Sequence, residues 1–178
     1  MKRLILLLFF TLFLPFSLQA TEPVIHAVIA ADGRAGLGAN LFADRRNMER
    51  LFRENVPNNR LNLVLMDLDA ITPDTILQTI SRLELTENDT LVFYYSGRAA
   101  HNRDSNADSG AGVGGHYFQL RDEQGGLVRL YRRTLLAALK EKNARLTVLL
   151  TDCCNVADEA IDVATKASSV RRINSPRL

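Results

Sequence analysis

The sequence predicts an α/β fold, a three-layer α/β/α sandwich in which helices cover both faces of a mostly parallel sheet. Four short apolar runs have the length and β-branched content of buried strands: 23–31, 61–66, 90–95 and 145–150. Segments with helical periodicity lie between them, and strands that alternate with helices are typical of a parallel sheet. Right-handed crossovers then keep the carboxyl ends of the strands at one rim.

Three helices are predicted between the strands. Asn40 offers an N-cap to a helix that ends near Asn55. Its inner face is expected to contain four apolar residues: Leu41, Met48, Leu51 and Phe52. Thr72-Pro73 places a capping hydroxyl before a proline at the first helical position of the second helix. The third helix is predicted over 132–143.

The rest of the chain carries weaker signals. Residues 99–115 are rich in Asn, Asp, Ser and Gly, which predicts a loop. A small hairpin is predicted from strands 116–121 and 126–130 around a polar turn. After Asn155, apolar residues at helical spacing over 156–164 suggest one short helix before the C-terminal tail.

The first twenty residues resemble a secretory signal. Lys2 and Arg3 precede an apolar run over 4–16, and Ala20 stands at the boundary with a polar segment. We therefore expect a signal peptide over 1–20, a domain over 21–155 and a short helix and tail over 156–178, in a protein exported to the periplasm or the medium. Because Leu18 fits the cleavage pattern poorly, an uncleaved N-terminal membrane anchor stays open as an alternative.

Composition limits the partners. The formal net charge is +2, and removal of Lys2 and Arg3 with the signal brings it close to zero. No basic stripe interleaved with aromatic residues is present, so nucleic acid is not an expected partner. A mature form without the signal is not expected to bind membranes.

Two strand ends carry reactive residues. The third strand runs into Tyr94-Tyr95-Ser96-Gly97-Arg98, and the fourth into Thr151-Asp152-Cys153-Cys154-Asn155. Ligands of open α/β sheets bind beyond the carboxyl ends of strands, so these corners, with Asp32 after the first strand, form a candidate site. Adjacent cysteines rarely form an unstrained disulfide, and two cysteines cannot stabilise a fold of this size. Spacing alone leaves open whether they are reactive or simply small and buried.

These two corners resemble the caspase and metacaspase superfamily of cysteine peptidases. Its members usually carry Tyr-Ser-Gly-His-Gly at one strand end and Asp-x-Cys-His/Asn-Ser-Gly at a later one. The resemblance spans roughly residues 24–155 and implies a caspase-like domain. It implies that Cys154 is the nucleophile and that the Gly97 N–H binds the oxyanion. It also implies that Asp152 and Ser96 line a pocket for a basic side chain, with Asp32 a third member by position.

Two departures from the family pattern weaken the expected activity. Arg98 stands where the family has its catalytic histidine, and arginine cannot exchange a proton at neutral pH. The second departure is that Asn155 is followed by Val156-Ala157 and a short tail, where the family continues into further strands. The fourth strand is therefore expected to be a poorly covered edge.

Histidines are the candidates to replace the missing base. His101 is a candidate replacement base and His116 a weaker one, although a solvated loop histidine is the simpler interpretation; His26 is expected to be a packed core residue. Residues 104–108 alternate oxygen side chains as in a calcium loop, but Gly115 stands where a bidentate Glu belongs. No cofactor or metal is expected, and only a weak calcium contact stays open through the resemblance to metacaspases.

The sequence thus favours a cysteine endopeptidase homologue that cuts after Arg or Lys, with activity impaired by Arg98. Its partners would be peptide or protein substrates, with a caspase-like partner or a second copy as candidates to supply missing strands. The alternative is a non-catalytic module that binds peptides or proteins. A third hypothesis is a redox sensor that uses the vicinal thiols.

Overall fold

The structure, a computed structural model, describes residues 22–36, 39–101, 115–153 and 156–157. Its central sheet contains four parallel strands: β1 (Ile25–Ala31), β2 (Leu61–Leu65), β3 (Thr90–Gly97) and β7 (Leu146–Cys153). Their order is β2-β1-β3-β7. The predicted α/β fold with a mostly parallel sheet is therefore confirmed.

Three helices cover the two faces of this sheet. Helix α1 (Ala39–Asn55) packs over β1, β2 and β3 on one face. Helices α2 (Pro73–Ser81) and α3 (Arg132–Lys140) pack on the other face and contact each other. Helix α2 begins as predicted, because the Thr72 hydroxyl accepts the Thr75 N–H at 3.1 Å and Pro73 follows the cap.

The inner face of α1 was predicted only in part. Leu41 is buried, but Leu51, which was expected on the inner face, is 53% exposed. Helical spacing from Leu41 brings Asp44 to the sheet side, three residues on. A polar residue therefore lies on the face that periodicity assigned to apolar side chains alone.

A second sheet packs beside the helices α2 and α3. Its strands are β4 (Ala99–His101), β5 (His116–Arg121), β6 (Leu127–Tyr131) and β8 (Val156–Ala157), in the order β6-β5-β4-β8. Phe118 and Leu120 of β5 join Phe93 and Tyr95 of β3 in one core cluster. The Tyr95 and Phe118 rings lie 4.1 Å apart, so the two sheets share a core.

Two sequence-based expectations are corrected in this second sheet. Residues 99–101 were predicted to be loop, but they form β4 because the β5 edge pairs with them, Ala99 opposite Phe118. Val156–Ala157 was assigned to a C-terminal helix and is instead β8, which pairs in parallel with Ala100 and His101 of β4. The expected signal segment 1–20, most of the polar loop and the remaining tail lie outside the described residues.

A buried aspartate ties the first and third strands together at their amino ends. The Asp89 carboxylate accepts the Val24 N–H at 2.7 Å and the Thr86 N–H at 2.6 Å, and the His26 ring lies 3.6 Å away. Burial opposes ionisation, but these hydrogen bonds and the His26 ring together lower the pKa of Asp89. His26 is buried, as predicted, and also contacts Asn62 of β2.

None of the described helices combines the length and apolarity that a membrane crossing requires.

Replacing Asp89 is expected to destabilise the fold. Asp89→Ala leaves the Val24 and Thr86 N–H groups unpaired, which should lower the free energy of unfolding by about 2–4 kcal/mol in chemical denaturation. Because the folded pKa lies below the ordinary value of 3.8, the ionised carboxylate stabilises the fold above that pH. This contribution is lost as the pH falls through the folded pKa, so the variant should lose less stability in acid. The surface control Glu123→Ala should stay within about 0.5 kcal/mol, and an equal effect of both variants would contradict this role.

Candidate functional site

The candidate site is built where β3 and β7 end together. The two strands pair in register over their whole length, and the last pairs are Ser96 with Asp152 and Gly97 with Cys153. On the other side of β3, the Asp32 N–H donates to the Ser96 carbonyl at 2.9 Å. The corners that the sequence singled out are therefore neighbours at one rim.

An acidic cluster lies on the α1 face of this rim. It consists of Tyr94, Ser96, Asp152 and Asp44. The Ser96 hydroxyl donates to the Asp44 carboxylate at 2.9 Å, and the Tyr94 hydroxyl lies 3.5 Å from the Asp152 carboxylate. Asp152 is exposed and Asp44 is half-buried. Among the described residues, neither the Asp44 nor the Asp152 carboxylate forms an ion pair.

The two carboxylates affect the pKa of Tyr94. Burial raises the pKa of Tyr94 to about 12, and the nearby Asp152 and Asp44 carboxylates add to the effect because they repel a phenolate. The phenol therefore stays protonated and can donate a hydrogen bond. Two carboxylates, one hydroxyl and one phenol at a partly open rim suit a cationic group such as a guanidinium or an ammonium.

Asp44 is the member of this cluster that sequence analysis missed. It lies on helix α1. The other members were located because ligands bind beyond the carboxyl ends of strands, and that rule does not identify helix residues. The available signal was its spacing, since Asp44 follows the buried Leu41 by three residues and therefore faces the sheet. An acidic residue on the inner face of an amphipathic helix is a site candidate because burial of an unpaired charge is costly.

Asp32 lies beside Ser96 at the rim, and its side chain bonds to a local backbone group. Its carboxylate is buried and accepts the Arg34 N–H at 3.1 Å, which caps the short 3-10 helix Gly33–Ala35. Burial raises the pKa of Asp32, and the Arg34 hydrogen bond and charge offset only part of that effect. The Asp32 carboxylate makes no hydrogen bond to the acidic cluster within the described ranges. In that cluster the carboxylate that contacts Ser96 is Asp44.

Gly97 is closely enclosed on its side-chain side. A Cβ at this position would overlap the hydroxyl of Tyr95, whose ring is fully buried. That hydroxyl donates to the Arg98 carbonyl at 3.1 Å and holds the corner in place. The chain can therefore make this turn against Tyr95 only with glycine at position 97.

Arg98 reaches away from the end of β7. Its side chain is exposed, and its Nε donates to the Ala35 carbonyl in the turn after β1. The guanidinium also lies beside Gly36, since one of its nitrogens would be 3.9 Å from a Cβ there. The position that corresponds to a catalytic base in the family pattern thus holds a fixed cation at the rim.

The two cysteines differ in what the structure describes. Cys153 is half-buried and packs against the core cluster shared by the two sheets. Cys154, the expected nucleophile, lies outside the described residues. The strands on either side of it are both described, since Cys153 pairs with Gly97 and Val156 with Ala100.

The candidate substitute bases belong to the second sheet. His101 and His116 are opposite each other on β4 and β5, and their ring centroids are 5.6 Å apart. Burial lowers the pKa of His116, and the neighbouring Arg132 and His101 act in the same direction. Arg132 in turn contacts the Thr151 hydroxyl of β7. The pair therefore lies on the core side of β7, whereas the acidic cluster lies on the α1 side.

Within the described part of the chain, no group of three or more His, Cys, Asp or Glu side chains is arranged to hold a metal ion. The polar residues at 104–108 that suggested a calcium contact lie outside that part. No protein-family model matches the chain, and no curated protein matches it.

The acidic cluster makes a prediction about Tyr94. Asp152→Asn and Asp44→Asn should each lower the pKa of Tyr94 from about 12 toward the ordinary 10.0, because each removes a repelling charge, while burial keeps the value above it. The change can be followed by ultraviolet absorbance of tyrosinate, with Tyr94→Phe to assign the signal. Glu123→Gln, on an exposed turn, is the control. A Tyr94 titration that is the same in all variants would show that the carboxylates do not act on the phenol.

Proposed function

We propose that this chain is an exported, degenerate homologue of the caspase and metacaspase cysteine endopeptidases, and that its acidic cluster binds a basic side chain of a peptide. The observation that carries the proposal is the acidic cluster beside the paired ends of β3 and β7. Residues that the family resemblance assigns to the specificity pocket, Ser96 and Asp152, lie in this cluster with Tyr94 and Asp44.

The substrate class follows from charge. A cluster with two carboxylates and no ion pair among the described residues favours a cation over an anion or an apolar group. Arginine can donate two parallel hydrogen bonds to one carboxylate, whereas lysine acts as a point charge. The proposed ligand is therefore a peptide with Arg, or less favourably Lys, before the bond to be cut.

The proposed chemistry assigns the thiolate of Cys154 to attack on the peptide carbonyl carbon. The Gly97 N–H would stabilise the oxyanion of the tetrahedral intermediate. Arg98 would favour the thiolate only if its side chain turned from the Ala35 carbonyl toward Cys154. It cannot donate the proton that the departing amine needs, and loss of general acid–base help costs about 10² to 10⁴ in rate. Turnover by this chain would be correspondingly slow.

A non-catalytic peptide-binding module is the second candidate. It is favoured by the engagement of Arg98 with the Ala35 carbonyl, because that contact fixes a group without acid–base function at the rim. The candidate substitute imidazoles, His101 and His116, lie opposite each other in the second sheet. Such a module would keep the acidic cluster and bind Arg-containing peptides without cutting them.

Peptide cleavage separates the two candidates. The mature chain, with and without calcium, is incubated with peptide substrates that end in Arg, Lys or Asp before the reporter group. Slow cleavage after Arg, absent in Cys154→Ala and retained in Cys153→Ala, is expected for the degenerate peptidase. Arg98→His should raise the rate by about 10² or more, since it supplies an acid and base. Binding without cleavage in every variant would instead identify the module.

Binding of the basic side chain can be measured without turnover. In the Cys154→Ala background, an Arg-ending peptide should bind more tightly than its citrulline counterpart, which has a similar shape without the charge. Asp152→Asn and Asp44→Asn should each weaken Arg-peptide binding about ten- to 100-fold, the usual effect of losing one charge-assisted hydrogen bond. Glu123→Gln should bind normally. Equal affinity for the two peptides would disprove the basic pocket in both candidate functions.

A further inference from the structure

Two imidazoles face each other across the second sheet. His101 and His116 are directly opposite in the antiparallel pairing of β4 with β5, so their side chains lie on the same face. Their ring centroids are 5.6 Å apart, and the ring planes are tilted by 35°. The pair is separate from the acidic cluster, and the proposed attack by Cys154 assigns no role to it.

The distance between the two rings suits a shared metal ion. In a zinc site each histidine nitrogen lies about 2.0–2.1 Å from the ion, and the ligands are arranged tetrahedrally. Two imidazoles on one such ion therefore have their ring centres about 5–5.5 Å apart. The observed separation of 5.6 Å is close to this value, so both rings can bind one ion without a large movement of the backbone.

A ring nitrogen of this pair is available to a ligand. The Nδ1 atom of His101 is buried and has no hydrogen-bond partner, which is unfavourable and uncommon in folded proteins. The chain has three histidines, and the third differs. The His26 ring contacts Asn62 at 3.0 Å and lies 3.6 Å from the Asp89 carboxylate. His26 therefore has a structural role, whereas His101 keeps a nitrogen without a partner.

We propose that His101 and His116 together bind one transition-metal dication, with Zn²⁺ as the representative ion and water in its remaining coordination positions. Imidazole is a ligand of zinc, copper and nickel, whereas Ca²⁺ and Mg²⁺ prefer oxygen ligands. The proposed site therefore differs in ligands and in ion from the calcium contact that the sequence suggested at residues 104–108.

The surroundings of the pair limit its affinity for the ion. Arg132 lies near His116, and its positive charge opposes the binding of a dication. The Arg132 guanidinium contacts the Thr151 hydroxyl, which holds it toward β7. Structural zinc sites have four protein ligands, but this pair supplies two. We therefore expect reversible binding in the micromolar range, so that occupancy follows the supply of metal.

A bound ion would link β4 to β5 through side chains. The two histidines flank residues 102–115 in the sequence, so the ion would also join the two ends of this segment. An ion that binds the folded chain better than the unfolded chain stabilises the fold in proportion to its concentration relative to the dissociation constant. The thermal midpoint of unfolding should therefore rise with added Zn²⁺.

Nuclear magnetic resonance of the imidazole nitrogens tests the proposal on the untagged mature chain. The three histidine rings can be assigned from the spectra of His101→Gln and His116→Gln. Zn²⁺ should shift the ring signals of His101 and His116 and leave those of His26 unchanged, and Mg²⁺ should shift none of them. Each single variant should weaken Zn²⁺ binding about tenfold or more in calorimetry, whereas the surface variant Glu123→Gln should bind normally.

Two further measurements separate the histidines from the thiols and from an effect on folding. Co²⁺ bound at the pair should show visible absorption without the ultraviolet charge-transfer band of a thiolate ligand, and Cys153→Ala and Cys154→Ala should bind Zn²⁺ normally. Circular dichroism confirms that each variant is folded, and Zn²⁺ should not raise the thermal midpoint of His101→Gln or His116→Gln.

Three outcomes would each overturn the proposal. The first is that Zn²⁺ leaves the His101 and His116 signals unchanged, or that Mg²⁺ shifts them equally. The second is that both histidine variants bind Zn²⁺ as tightly as the unaltered chain. The third is that binding is lost in a cysteine variant and Co²⁺ shows the thiolate band, because the thiols would then be the ligands.

Discussion

The in-register pairing of β3 with β7 is the constraint on which the rest of the site depends. Both strands begin together at Thr90 and Leu146 and end together at Gly97 and Cys153. Because β3 is also paired with β1 and is buried almost throughout, its position is fixed from both sides. Asp89 holds its amino end against β1. The rim residues are therefore placed by a buried strand that is paired on both sides.

The alternation of side chains along β3 separates two chemical environments. Tyr94 and Ser96 point to the α1 face and meet Asp152 and Asp44. Tyr95, between them, points to the opposite face, where it stacks on Phe118 and encloses Gly97. One tyrosine thus belongs to a polar cluster and its neighbour to the core. This separation lets an acidic cluster form next to a densely packed strand end.

The site combines features that favour binding with one that opposes catalysis. The acidic cluster is preorganised by strands and a helix, so a cationic ligand would meet groups already in place. Arg98 is held by the Ala35 carbonyl and has no proton to exchange. Under the proposed function, the balance between slow proteolysis and peptide recognition would therefore depend on how the leaving group is protonated.

The sequence alone determined the α/β architecture, the four central strands and the meeting of Gly97 with the Asp152–Cys153 corner, because parallel strands joined by crossovers must end at one rim. It also located the Thr72 cap, a local hydrogen bond. Tertiary structure decided that Asp44 joins the cluster while Asp32 caps a turn, and that 99–101 and 156–157 are strands. It also revealed how far Leu146 and Leu150 are exposed. These features arise from contacts between residues distant in sequence, and neither periodicity nor spacing encodes which distant partner a side chain or strand edge will meet.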